Sequence, residues 1–272
     1  MTFARIKMLH ARKANISVIF RRGPSKWVQV LKWNTKTDEI TEGQWFNGRI
    51  YTDKSDLSPY GNYMIYFAAK FKEEKNQYTW TAISKPPYLT AIALWKKNDT
   101  FDGGGLFEST RKIYLNHVKE EAKVEEGADI SELKITLNTA RKFPHYDIEG
   151  VRMRRDNWEW SKDKLTNLNN SDIQIAKKIS AEASIVYTGF KVTNHKYDWH
   201  SFVMYKGEQL NFDSYENIDI NRNQRILLSK GGCIYTINDL ELYLKNRETT
   251  LIADLNDNKR YEMEAPEEMR KW

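Results

Sequence analysis

The chain has 272 residues, of which 40% are hydrophobic and 29% charged, so it has the material for a sizeable core and lacks the composition of a disordered chain. Its net charge of +6 belongs to one end: residues 1–37 hold nine Lys and Arg and no Asp or Glu, leaving 34 basic against 37 acidic residues elsewhere, a balance of −3. A lone cysteine, Cys233, excludes an intramolecular disulfide, and no stretch approaches the ~20 apolar residues of a membrane helix.

The N-terminal residues Met1 to His10 scatter charges where a secretory leader would be continuously apolar, which predicts an untargeted, cytoplasmic protein. Ile16–Phe20 is a short apolar run ended by the turn-forming Arg21-Arg22-Gly23-Pro24, and Trp27–Trp33 alternates before the polar Asn34–Asp38 loop, a hairpin pattern. Leu57-Ser58-Pro59-Tyr60-Gly61-Asn62 is a turn that delivers the apolar strand Tyr63–Ala68. Tyr78–Ile83 and Tyr88–Trp95 flank Pro86-Pro87, which can donate no ladder hydrogen bond and so marks a loop or an edge.

The Lys96–Phe107 stretch, with Asp99, Asp102 and Gly103-Gly104-Gly105, reads as a loop between strands. After a strand at Lys112–Asn116, residues 117–143 read as a charged helical or irregular excursion. Residues 150–160 suggest a hairpin turning at Asp156-Asn157, while Ile226–Ser229 and Cys233–Ile237 around Gly231-Gly232 form the clearest hairpin. Beyond Asp239 the charge spacing predicts a partly helical tail packed on the body.

Ser58, Ser180 and Asn221 occupy similar slots, each a polar turn residue ahead of an apolar run, and the last two lie 41 residues apart. That interval is near the ~40–45-residue period of a propeller blade. The expectation is an all-β fold, a small β-propeller-like array of antiparallel hairpins with five or six blades in a single domain over 1–272. A β-sandwich-like arrangement is the alternative. Leu57–Tyr63 with its following strand resembles the Ser-Pro-Asp-Gly blade signature of TolB-like and WD-like propellers, with Tyr60 where that family has Asp. Arg21–Val28, Gly43–Tyr51, Ala82–Tyr88 and Gly103–Phe107 resemble an uncharacterised bacterial protein family. The resemblance implies a propeller-like fold and a bacterial cytoplasmic setting, and it supplies no catalytic residues.

The first candidate site is the Arg21, Arg22, Lys26, Trp27 turn, where guanidinium forks and an ammonium beside an indole suit a phosphate, a carboxylate or a nucleic-acid backbone. The second joins Trp45 and Arg49 to Lys85, Tyr88, Asp99 and Asp102, as a glycine-bearing loop surface. Its spacing fits neither an EF-hand nor a P-loop. The third, His195-Lys-Tyr-Asp198-Trp199-His200, has the wrong parity for a metal site on a strand, so no metal and no cofactor is expected. Cys233 lies in an apolar strand context and reads as a buried, unreactive thiol.

These features predict a non-catalytic binding or protein-interaction module that presents a basic-aromatic loop surface to an anionic or macromolecular partner, with no membrane. A hydrolase or lyase working at a propeller channel through Asp99, Asp102 or His200 is the alternative. Nucleic-acid binding through the basic N-terminal segment is the third reading, weakened by the small overall excess of positive charge.

Overall fold

The computed structural model describes residues 3–23, 26–71, 77–137, 148–160, 173–193, 196–212 and 214–272. They form five sheets that follow one another along the chain. The first is β1 (Arg5–His10), β2 (Ile16–Arg22), β3 (Trp27–Asn34) and β4 (Glu39–Asn47). The second is β5 (Arg49–Leu57), β6 (Met64–Phe71), β7 (Gln77–Ser84) and β8 (Ala93–Lys97). The third is β9 (Gly105–Ser109), β10 (Lys112–Leu115) and β11 (Lys134–Leu137). The fourth runs β12 (Glu159–Trp160), β13 (Ile173–Lys178), β14 (Ala183–Thr193), β15 (Lys196–Tyr205) and β16 (Glu208–Asn211). The fifth is β17 (Asn217–Ile220), β18 (Ile226–Lys230), β19 (Cys233–Ile237) and β20 (Thr250–Asp254).

Within every sheet, strands adjacent in sequence are adjacent in space, and among the described residues no strand passes to another sheet as a sandwich requires. The fold is therefore all-β, a propeller-like series of five blades. Nearly all pairs are antiparallel, whereas β10 and β11 run parallel. The chain divides into two compact units, Met1–Arg152 with Asp254–Trp272, and Met153–Ala253.

In the first unit the second sheet is buried on both faces, which is why Tyr63–Ala68 is a continuous apolar run and does not alternate with polar residues. Period-2 geometry sends Met64, Tyr66 and Ala68 of β6 against Val18, Phe20, Val28 and Val30 of the first sheet. It sends Ile65 the other way, with Trp95, Phe107, Ile113 and Leu115, into the core shared with the third sheet. Residues 255–272 cross this unit: Asn258 Nδ2 donates to Gln29 Oε1 at 2.8 Å, Gln44 Nε2 donates to the Met263 carbonyl at 2.8 Å, and the Trp272 ring lies 5.1 Å from Tyr63.

In the second unit, Ile175, Ile185 and Val203 of the fourth sheet pack with Ile218, Ile226 and Leu228 of the fifth. The helix α2 (Leu240–Asn246) begins at Asp239, whose carboxylate accepts from Glu241 N at 2.7 Å and Leu242 N at 3.0 Å. Its Tyr243 stacks on Phe212 at 5.1 Å.

The structure changes or adds to four local readings. The segment before Asp156 is a helix, α1 (Ile148–Arg155), not a strand; Glu149 and Arg152 pair at i,i+3 spacing, and only Asn157, at φ 64°, turns the chain into β12. The first strand starts at Arg5, because Ile6 and Met8 are buried while Arg5 and Lys7 are exposed, an alternation the scattered charges obscure. Cys233 is half-buried at the mouth of the Gly231-Gly232 turn. The 117–143 region contains a 3-10 turn at Lys119–Glu121 and the strand β11, and its residues 138–143 lie outside the described residues.

Candidate functional site

One end of the first sheet gathers basic side chains. Arg5 sits directly opposite Arg22 across the β1–β2 ladder, and both are exposed. Directly opposed like charges on neighbouring strands are destabilising. Lys26 is exposed in the following turn, and its carbonyl accepts from Gly48 N at 2.8 Å. That bond brings the start of β5, with the exposed Arg49, to the same end. A side chain at Gly48 would meet the Ala69 carbonyl at 2.4 Å, so only glycine permits the approach. Arg49 lies 4.4 Å from the Tyr51 ring centre, and Arg260 stacks on half-buried Trp27 at 4.3 Å. Among the described residues, Arg5, Arg22, Lys26 and Arg49 have no carboxylate partner.

Arg21, one position from Arg22, does something else. It is 7% exposed, its Nε donates to the Leu255 carbonyl at 2.7 Å, and its second amino group donates to the Asn256 carbonyl at 2.9 Å. It also lies 5.3 Å from the Trp45 ring. Burial lowers its pKa from the usual guanidinium range, against the attraction of Glu42. Arg21 thus holds the 255–272 segment to the sheet. Trp45 is half-buried beneath it, and its indole N–H has no partner among the described residues.

The Asp99–Gly105 loop is organised from below by Lys54, which is 7% exposed. Its ammonium donates to three successive carbonyls, those of Thr100 at 2.6 Å, Phe101 at 2.9 Å and Asp102 at 3.1 Å. The ring of carbonyls is occupied by the protein's own cation. Asp99 accepts from Phe101 N at 3.0 Å and pairs with Lys97 at 3.1 Å. Burial would raise the Asp99 pKa, but the Lys97 hydrogen bond and the Phe101 amide outweigh it and lower it. Gly104, at φ +77°, donates to Thr81 Oγ1 at 2.7 Å, and a Cβ there would meet the Lys54 carbonyl at 1.9 Å.

Beneath the loop lies a network that sequence reasoning missed. His117 is fully buried; its Nδ1 faces the Glu121 carbonyl at 3.1 Å and its Nε2 faces Thr81 Oγ1 at 2.8 Å. A carbonyl only accepts, so Nδ1 carries the proton and Thr81, already accepting from Gly104, donates to Nε2. Burial keeps the ring neutral, lowering its pKa from 6.5. Lys97, its side chain 2% exposed, bonds the Glu121 carboxylate at 2.6 Å. Burial alone would lower the Lys97 pKa; its bonds to Glu121 and Asp99 reverse this and raise it. These partners are 24 and 36 residues apart in sequence, with no spacing to announce them.

The remaining predicted residues are elsewhere. Lys85 lies in the turn after β7, donating to the Glu268 carbonyl at 2.8 Å. Tyr88 closes that turn through its amide bond to the Lys85 carbonyl at 3.0 Å. Gln44 Oε1 accepts from Leu89 N at 2.7 Å and Thr90 N at 3.0 Å, fixing the same turn. His200 is exposed on β15 in the second unit, and His195 and His145 lie outside the described residues. Among the described residues no three His, Cys, Asp or Glu side chains gather as a metal site, and no helix is long and apolar enough to cross a membrane. The structure therefore brings Arg22, Lys26, Trp27 and Arg49 to one end, adds Arg5 and Arg260, and assigns Arg21 and the Asp99–Asp102 loop to internal contacts. Compared with protein-family models and with curated proteins, the chain gives no match.

Proposed function

We propose that this protein is a non-catalytic binding module whose ligand surface is the basic end of the first sheet, and that its partner is an acidic segment of another protein. The observation that carries the reading is Arg5 opposite Arg22, with Lys26 and Arg49 at the same end and, among the described residues, no carboxylate paired with any of the four. Carboxylate side chains of a partner would supply the missing charge through bidentate forks. Trp27 under Arg260 adds aromatic contact area. A reducing cytoplasmic compartment suits the single thiol, and the Leu57–Tyr63 turn keeps TolB-like or WD-like kinship within this reading.

The test is affinity capture from the source cells with the wild type and an Arg22→Ala, Lys26→Ala, Arg49→Ala variant, leaving Arg21 intact because it holds the fold. Proteins with acidic segments should be lost with the variant, and their direct binding should be re-measured with purified components. Recovery of the same proteins by both chains would reject the surface. Preferential binding of random single-stranded oligonucleotide, with a steep salt slope, would point to nucleic acid instead.

A further inference from the structure

At the opposite end of β3 from Trp27, four stretches of the first unit converge on a shallow cleft of about 250 Å³ lined by Lys32, Asn62, Tyr63, Lys85, Pro86 and Met269. We infer that this cleft binds a compact phosphomonoester through the Lys32 and Lys85 ammonium groups, with the organic body of the ligand against Tyr63, Pro86 and Met269. The site is separate from the basic end of the first sheet and does not depend on that reading.

Two lysines line one concavity, and no Asp or Glu is among the described residues that line it. Lys32 is half-buried on β3 and, among the described residues, makes no ion pair and no hydrogen bond through its ammonium. Lys85 is oriented: its Nζ donates to the Glu268 carbonyl and lies 5.8 Å from the Tyr63 ring centre. Arg111, 5.8 Å from the same ring, is paired with Glu132 at 3.2 Å, so the charge of the cleft rests on the two lysines. A phosphomonoester carries about −1.5 to −2 charges at neutral pH, which two ammonium groups offset.

Hydrogen bonds and ring contacts hold the walls together. Ser58 Oγ accepts from Tyr63 N at 3.0 Å while Ser58 N donates to the Tyr63 carbonyl at 2.8 Å, fixing the Tyr63 backbone. Trp272, 5.1 Å from Tyr63, and the 3-10 turn at Glu267–Met269 bring the 255–272 segment in as the far wall. Drug-sized sites run to about 300–1,000 Å³, so this smaller cleft suits a single phosphate on a short organic body.

Phenyl phosphate is the probe, titrated by calorimetry and by ligand-observed NMR at physiological ionic strength, with phenol and inorganic sulfate as comparators. Saturable binding is expected at about millimolar affinity or tighter, weakened about tenfold or more by Lys32→Met. Because the Lys32 ammonium holds no other described residue, that variant should keep the wild-type circular dichroism. Lys85→Met is the second arm, read only if its melting curve stays cooperative. The Arg22→Ala, Lys26→Ala, Arg49→Ala variant should bind the probe as the wild type does, which separates this site from the proposed protein-binding surface. Absence of saturable binding to the wild type, equal binding by Lys32→Met, or equal binding of phenol would each overturn the inference.

Discussion

Replacing Lys54 by Met keeps the length and apolar stem of the side chain and removes only the ammonium. Three carbonyls, at 2.6, 2.9 and 3.1 Å, then lose their donor together. Hydrogen bonds to a charged group contribute about 1.5–3 kcal/mol each, so the gross loss is roughly 4–9 kcal/mol. Burying an ammonium carries a desolvation cost of several kcal/mol, which the methionine no longer bears. The expected net destabilisation is about 2–4 kcal/mol. The chain has two compact units, so a single unfolding midpoint would mix them. Hydrogen exchange should therefore be read at the Gly104 amide, which donates to Thr81, and at the Phe101 amide, which donates to Asp99. Both should exchange faster in Lys54→Met, while amides of β18 and β19 in the second unit should be unchanged. A loss below about 0.5 kcal/mol with unaltered protection at Gly104 would refute the view that Lys54 organises this loop.

Arg21→Ala should cost about 2–4 kcal/mol in urea denaturation of the first unit, because it strands the Leu255 and Asn256 carbonyls, whereas Arg22→Ala should stay within about 0.5 kcal/mol. Equal effects would show that the guanidinium contacts to the 255–272 segment contribute nothing. Acid should weaken the first unit through His117. Its folded pKa lies below 6.5, so the unfolded chain binds the proton first, and the contribution is whole above about pH 6.5 and falls as pH drops through the window below it. The groups facing the ring are Thr81, the Glu121 carbonyl and the charges of Lys97, Glu121 and Asp102. His117→Gln should flatten the slope of stability against pH between 7 and 5; an unchanged slope would assign it to other groups.

The blades were legible where turn chemistry and apolar runs are local. Ser58, Ser180 and Asn221 do share a role: Ser58 Oγ accepts from Tyr63 N, Ser180 Oγ from Glu182 N, and Asn221 Oδ1 from Asn223 N and Arg225 N, each ahead of a strand. The Gly231-Gly232 hairpin follows from two residues at positive φ, 56° and 79°. The α1 segment misled because Val151, Met153 and Arg155 alternate as readily along a strand as they scatter around a short helix. The Lys54, His117 and Lys97 contacts were invisible because their partners are main-chain carbonyls or distant side chains, and a carbonyl has no residue type.

The same limitation governs the candidate surface, and it turns on parity. In a strand, neighbours point to opposite faces. Arg21 therefore meets the Leu255 and Asn256 carbonyls while Arg22 meets Arg5 and solvent. Composition counts the two alike. Of the nine basic residues in the acid-free first 37, Arg21 is tied to the 255–272 segment, and Arg12 donates to the Phe107 carbonyl at 2.9 Å and to that of Glu108, so both act as internal struts. The same pattern recurs in Lys54 and Arg152, each bonded to carbonyls of a sequence-distant segment. A charge excess read from sequence thus overstates the field offered to a ligand, since a cation bonded to main-chain carbonyls is partly screened by their dipoles and held away from any partner. The seven that remain, the exposed Arg5, Lys7, Lys13, Arg22, Lys26 and Lys36 with the half-buried Lys32, are a smaller charge than the composition counts, and Arg5, Arg22 and Lys26 share one end of the first sheet. Such placement favours recognition of a few carboxylates or one phosphate over the extended tracking of a polyanion.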